Sequence, residues 1–313
     1  MMKQFPSEAP AAGATGILIP VWHSYRWMAP LTLRWLDRFW PSHPPVWFCG
    51  LDRGGDLPSF PVSSGTDLTN WSAMVLDGVK QMRSMGFEFV YLVAEEHVPL
   101  ATCNEEHLNV TLPRLMGCLP AVYISLMGWD NRRFSSRSPV LPASCYKFKH
   151  LVGTKDPRFH LHPALWRIDA LQTCCELALE DAGKMGSAWH FEKINSRGSG
   201  CHSPEWKLQC YQIHSAALRL IKPSAFRHAA SSFENFIFNK LRALVPLIRS
   251  FRLAGRYAMA VGFDNVYCDG PYPMYFSGIM AKGRMNPFLE KHLRRSAGGR
   301  LMMNEIRQLM PPC

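Results

Sequence analysis

Apolar positions along the chain alternate between two periods. GILIPVW (16–22) is a short uninterrupted apolar run, suited to a buried strand. SYRWMAPLTLRWLDRFW (24–40) follows, with Trp27, Leu31, Trp35 and Phe39 at four-residue steps. That spacing predicts a helix with Ser24 as N-cap, stopped by Pro41, Pro44 and Pro45. VWFCGL (46–51) predicts a second strand, and a loop rich in Gly, Asp, Pro and Ser runs from Asp52 to Thr66. Asp67–Met85 reads as a helix with Trp71, Met74, Val75, Val79 and Met82 on one face. FEFVYLVA (87–94) is a third strand and ends in Glu95, Glu96 and His97. A helix at about 105–117 leads to AVYISLMG (121–128), a fourth strand, and 129–160 reads as a basic loop with Arg132, Arg133, Arg137, Lys147 and Lys149.

Strands separated by helices of a dozen or more residues imply βαβ units. The expected fold is therefore α/β, with a mainly parallel sheet and flanking helices. Ligands of such sheets bind beyond the carboxyl ends of the strands. Asp52, Glu95, Glu96 and the loop after Gly128 belong to that rim. No GxGxxG and no GxxxxGK[ST] occurs, so neither a dinucleotide fingerprint nor a P-loop is present.

Charge changes the picture of the C-terminal third. The formal net charge is +11, and residues 219–313 carry 15 Lys/Arg against 5 Asp/Glu, so nearly all of the excess lies there. Such asymmetry points to an anionic partner. Within 233–256, Phe233, Phe236, Ile237, Leu241, Leu244, Val245 and Ile248 recur at three- and four-residue steps. Arg242, Arg249, Arg252 and Arg256 fall mostly on the other face, and Pro246 predicts a kink. This is the pattern of a helix lying on an anionic membrane, or of a surface helix packed on its own domain. Nucleic acid is disfavoured as a partner, because no helix-turn-helix, finger or RNP motif occurs.

The remaining composition is ordinary. The hydrophobic share of 47 % fills a sizeable core and excludes a disordered chain. No apolar run approaches the roughly 20 residues of a membrane span, and the N-terminal leader lacks the apolar stretch of a secretory signal. The expected location is cytoplasmic, with peripheral attachment to the inner face of the cell membrane through 233–256. The 10 cysteines are scattered without a CxxC and read as reduced thiols. Cys201, His202, Cys210 and His214 have zinc-ligand chemistry but none of the usual structural spacings.

The order of the pieces resembles a loosely characterised group of bacterial proteins with a GT-A-like glycosyltransferase fold, associated with surface polysaccharide synthesis. The residues that carry the resemblance are HSYRWMAPLTLRWLDRFWP (23–41), NWSAMVLDGVKQM (70–82), LVAEEHVPL (92–100), LHPALWRIDAL (161–171), AWHFE (188–192) and YFSGIMAKGRM (275–285). Three positions depart from the group's pattern. The acidic pair is Glu95–Glu96 rather than Glu-Asp, His162 stands for a Gln, and His190 for a Glu. The resemblance implies a nucleotide-sugar domain formed by 15–202 and 263–290. It leaves 203–262 as a basic amphipathic helical insertion and 291–313 as a basic C-terminal tail.

A nucleotide-sugar transferase holds a diphosphate, generally with a divalent metal and carboxylates at a strand end, and an inverting one supplies a base for the acceptor hydroxyl. On that implication Glu95, Glu96 and His97 are candidate ligands for Mg²⁺ or Mn²⁺. Asp52, Lys282 and Arg284 are candidates for the donor and its diphosphate. Glu192 is the candidate base, since the bulk of Trp189 and Phe191 beside it favours a raised pKa. The implied partners are a nucleotide-sugar donor, a glycan or lipid-linked acceptor, and an anionic membrane. A non-catalytic scaffold of the same fold and a nucleic-acid-binding accessory protein are the other classes the sequence leaves open.

Overall fold

The computed structural model describes residues 14–51, 56–118, 121–126, 147–150, 161–180, 186–196, 210–214, 218–220, 266–268, 271–275, 278–281, 284–286, 289–290, 293–294 and 297–311. The expected α/β class is present. Strands β1 (Thr15–Pro20), β2 (Val46–Cys49), β3 (Phe89–Leu92), β4 (Tyr123–Ser125), β5 (Lys147–His150), β6 (Ala164–Arg167) and β7 (Cys210–His214) form one open sheet in the order β2-β1-β3-β6-β4-β7-β5. Pairing is parallel for β1 with β2, β1 with β3 and β4 with β7. It is antiparallel where β6 meets β3 and β4, and where β5 meets β7.

Alternation along β1 explains why the sheet is covered on both faces. Leu18 joins Val90, Leu92 and Trp166 in a core under helices α2 (Trp71–Ser84), α4 (Ile168–Glu180) and α5 (Ala188–Ser196). Ile17 and Ile19 join Phe89 and Tyr91 on the other side, beneath α1 (Ala29–Phe39) and α3 (Leu112–Cys118). Side chains alternate with period 2, so an apolar residue at every position is what two covered faces require.

The helix expected over 24–40 divides in two. His23–Met28 forms a 3-10 turn, and α1 starts at Ala29 with Pro30 in its first turn. Proline fits there because its missing N–H has no helical partner to lose. Ser24 is not the N-cap; its hydroxyl meets the His23 ring instead. The capping role belongs in α2 to Asn70, whose side-chain oxygen accepts the N–H groups of Ser72 and Ala73 at 3.0 and 3.2 Å.

Two stretches of the later chain hold strands that the sequence pattern does not predict. Within 129–160, Lys147–His150 is a strand rather than loop. The described residues of 203–262 are strands, β7 in the main sheet and β8 (Leu218–Leu220), which pairs with β9 (Val266–Cys268), itself paired to β10 (Met274–Tyr275). The amphipathic stretch 233–256 lies outside the described residues.

Within 291–313, residues 297–309 are helical. Helix α6 (Ala297–Leu309) buries Met302, Met303 and Ile306 against Met28, Leu31 and Trp35 of the α1 side. Glu305 accepts the Trp35 indole N–H at 2.7 Å and a two-pronged Arg38 guanidinium at 3.1 and 2.7 Å. The apolar stripe Trp27, Leu31, Trp35, Phe39 therefore faces this helix. Among the described residues no helix is long and apolar enough to cross a membrane.

Candidate functional site

The order β2-β1-β3 creates a switch point. The chain leaves β1 for β2 on one side and reaches β3 on the other, so a crevice opens between the carboxyl ends of β1 and β3. Three backbone bonds carry the sheet into it. Val21 N–H reaches Cys49 O at 2.9 Å, Val93 N–H reaches Leu18 O at 3.1 Å, and His97 N–H turns back to Ala94 O at 2.9 Å. The acidic residues sit on that turn.

Glu95 bridges the crevice. Its carboxylate oxygen Oε1 accepts the Trp22 N–H at 3.1 Å, and its backbone carbonyl accepts the Thr32 hydroxyl at 3.0 Å. The side chain is buried, and loss of hydration raises its pKa to about 7 against the pull of the backbone N–H bonds it accepts. Glu96 is half-buried, and burial followed by the neighbouring Glu95 charge raises it to about 8. Two adjacent carboxyls that resist ionisation together behave as a coupled pair.

A late segment closes against the same turn. Ile279 N–H donates to Glu96 O at 3.0 Å, the Tyr272 hydroxyl to His97 O at 2.9 Å, and Leu100 N–H to Pro273 O at 2.8 Å. Gly278, at φ +70°, lies so near Glu96 that a Cβ there would stand 2.8 Å from Glu96 Cγ. Only glycine tolerates both the conformation and the approach. Arg284 lies in β12 (Arg284–Met285), paired with β11 (Met280–Ala281), and Asn286 N–H returns to Ile279 O at 2.9 Å. The hairpin bearing Arg284 is thus anchored one residue from Gly278. Lys282 and Asp52 lie outside the described residues.

The antiparallel strand β6 brings the second acidic position to this edge. Its first residue, Ala164, pairs with Leu92 at the carboxyl end of β3. Leu161 and His162 therefore lie beside the Glu95–His97 turn. The His162 ring meets His97 edge to face, with centroids 5.1 Å apart. Glu192 Oε1 accepts the Leu161 N–H at 2.7 Å, and burial raises its pKa while that N–H holds it down. The start of α5 is tied to the same edge, since Gly186 O accepts the Trp71 N–H that opens α2. Trp189, in the first turn of α5, is 77 % exposed.

The structure thus gathers Glu95, Glu96, His97 and Glu192 at one edge and adds Trp22, His162 and Gly278, which sequence reasoning had not assigned to the site. His162 carried a signal as a departure from the pattern; Trp22 and Gly278 act through backbone and carried none. Among the described residues no group of three or more His, Cys, Asp and Glu side chains is placed to hold a metal ion by itself. Paired carboxyls do match the donor chemistry of a hard divalent cation that draws its other ligands from substrate phosphates.

No family model matches the chain, and no curated protein matches it. Among solved structures it is loosely similar to a glycosyltransferase involved in the glycosylation of the major capsid of PBCV-1. That likeness has a TM-score of 0.31 and 11 % identity, and covers 65 % of this chain and 94 % of the other. At this level the site stands on its own geometry.

Proposed function

We propose that the protein is a GT-A-like glycosyltransferase that moves a sugar from a nucleotide-sugar donor to a cell-surface polysaccharide or lipid-linked acceptor. The observation that carries the reading is the Glu95–Glu96 pair at the β1/β3 switch point, where open α/β sheets bind nucleotides. In the proposed reaction an acceptor oxygen attacks the anomeric carbon. The carbon–oxygen bond to the diphosphate breaks, the nucleoside diphosphate leaves with the bonding electrons, and the acceptor proton passes to a base.

A divalent ion, Mg²⁺ or Mn²⁺, would be held by Glu95 and Glu96 with His97 nearby, and would neutralise charge on the leaving diphosphate. Glu96 is the more available ligand, because one Glu95 oxygen already accepts the Trp22 N–H. Arg284 and Lys282 are the proposed contacts of the diphosphate, and Asp52 that of the nucleoside. Trp189 offers an aromatic face on the same edge for the apolar side of an acceptor sugar ring.

Lipid-carried acceptors require access to a membrane. The basic stretch 233–256 supplies it in this proposal, at about 1 kcal/mol for each Lys or Arg near an anionic leaflet. Co-sedimentation with anionic vesicles should fall when Arg242, Arg249, Arg252 and Arg256 are replaced by glutamine; binding indifferent to lipid charge would contradict it.

The function is tested by thermal shift against a panel of nucleoside diphosphates and their sugars, with and without Mn²⁺. One nucleotide should stabilise the protein, by about 2.7 kcal/mol at a hundredfold excess over its Kd. A flat response across the panel sinks the reading.

A further inference from the structure

We propose that Glu192 is a positioning residue: it pins the backbone at Leu161, holds the His162 imidazole against His97 beside the acidic pair, and leaves the acceptor proton to another group. What this edge does rests on the glycosyltransferase reading. The positioning itself rests on geometry alone.

Glu192 is delivered by a rigid support. Phe191 beside it is fully buried, packed against Trp71 at 5.2 Å and Trp166 at 6.3 Å between ring centroids. One turn on, Asn195 Nδ2 donates to Cys174 O at 3.1 Å and Phe191 O at 2.9 Å, which locks α5 to α4. From this support one carboxylate oxygen reaches the Leu161 N–H at 2.7 Å. That distance is short for an amide donor, as charge-assisted bonds are.

Leu161 needs such a partner. It lies three residues before β6, so its N–H has no place in the sheet ladder. At the other end of this short lead-in, Pro163 O accepts Leu126 N–H at 3.0 Å, beyond the end of β4. Glu192 and Leu126 therefore fix both ends of the three-residue segment Leu161–Pro163, with His162 at its centre. The main chain of His97 opposite is fixed by its own turn to Ala94 and by the Tyr272 hydroxyl. Contacts thus run continuously from α5 to the residue that follows Glu96. One oxygen of the Glu192 carboxylate is engaged by a main-chain donor on its own edge, whereas a base must aim at substrate.

The test compares Glu192→Gln, Glu192→Ala and His162→Ala. Glutamine keeps an oxygen of the same reach for the Leu161 N–H but cannot act as a base. Hydrogen exchange should show the Leu161 amide protected in wild type and Glu192→Gln and exposed in Glu192→Ala. With a donor that the wild type turns over, Glu192→Ala and His162→Ala should each lose about tenfold or more, and Glu192→Gln should recover most of the alanine loss. A Glu192→Gln protein that keeps amide protection yet is as slow as Glu192→Ala overturns the proposal, since the carboxylate then acts chemically. Equal protection in all three proteins overturns it too, as does full turnover by His162→Ala. If the wild type turns over no donor, the transferase reading fails, while the exchange data still decide whether Glu192 holds Leu161.

Discussion

Replacing Glu95 by glutamine should stabilise the protein, and only above acidic pH. The Glu95 carboxyl is buried, and its pKa rises from an ordinary 4.5 to about 7. The folded state then holds this proton more tightly than the unfolded chain does. Stability from it is complete below about pH 4.5 and is lost as pH rises through 7, because the unfolded chain ionises freely and the folded one does not. A shift of that size corresponds to about 3 kcal/mol at roughly 1.4 kcal/mol per unit. Glutamine keeps an oxygen for the Trp22 N–H and carries no charge to bury. Urea unfolding of both proteins from pH 5 to 8.5 should show Glu95→Gln ahead by about 3 kcal/mol at pH 8, with the gap closing toward pH 5. It should also let Glu96 ionise more readily, since the Glu95 charge is one of the two causes that raise it. A gap that is constant with pH, or a variant less stable at pH 8, would refute the account of a buried, reluctantly charged pair.

Other expectations follow from single contacts. Gly278→Ala places a Cβ against Glu96 Cγ at φ +70°, so it should cost about 1–3 kcal/mol in denaturant unfolding and weaken nucleotide binding together. Glu305→Ala leaves the buried Trp35 indole N–H without its partner and should cost about 1–3 kcal/mol, with early protease cleavage near α6 as a second readout. Asn70→Ala removes the α2 cap and should lower stability by about 1 kcal/mol, while Asn70→Asp retains most of it by the same thermal melt.

How legible this was in the sequence depends on whether a feature is local. The apolar run at 16–22 and the face Trp71, Met74, Val75, Val79, Met82 both announce their elements, because burial on one side dictates period. The five residues of that face are indeed buried. Glu95 and Glu96 could be placed at a strand end for the same reason. Short strands such as Lys147–His150 and Cys210–His214 gave little signal, since four or five residues carry too few repeats to fix a period. The α1 boundary was missed because Pro30 starts a helix as readily as it breaks one. What joins His162 to His97, or Glu192 to Leu161, is packing between distant segments and a bond to main chain. Neither leaves a mark in side-chain spacing.

The central claim is that a nucleotide-sugar donor binds where β1 and β3 end. A crystal structure with a nucleoside diphosphate bound tests it most directly. The account predicts the diphosphate in the crevice bounded by Trp22, Glu96 and the Gly278–Ile279 backbone. A tightly bound nucleotide found elsewhere, with that crevice unchanged, would contradict it.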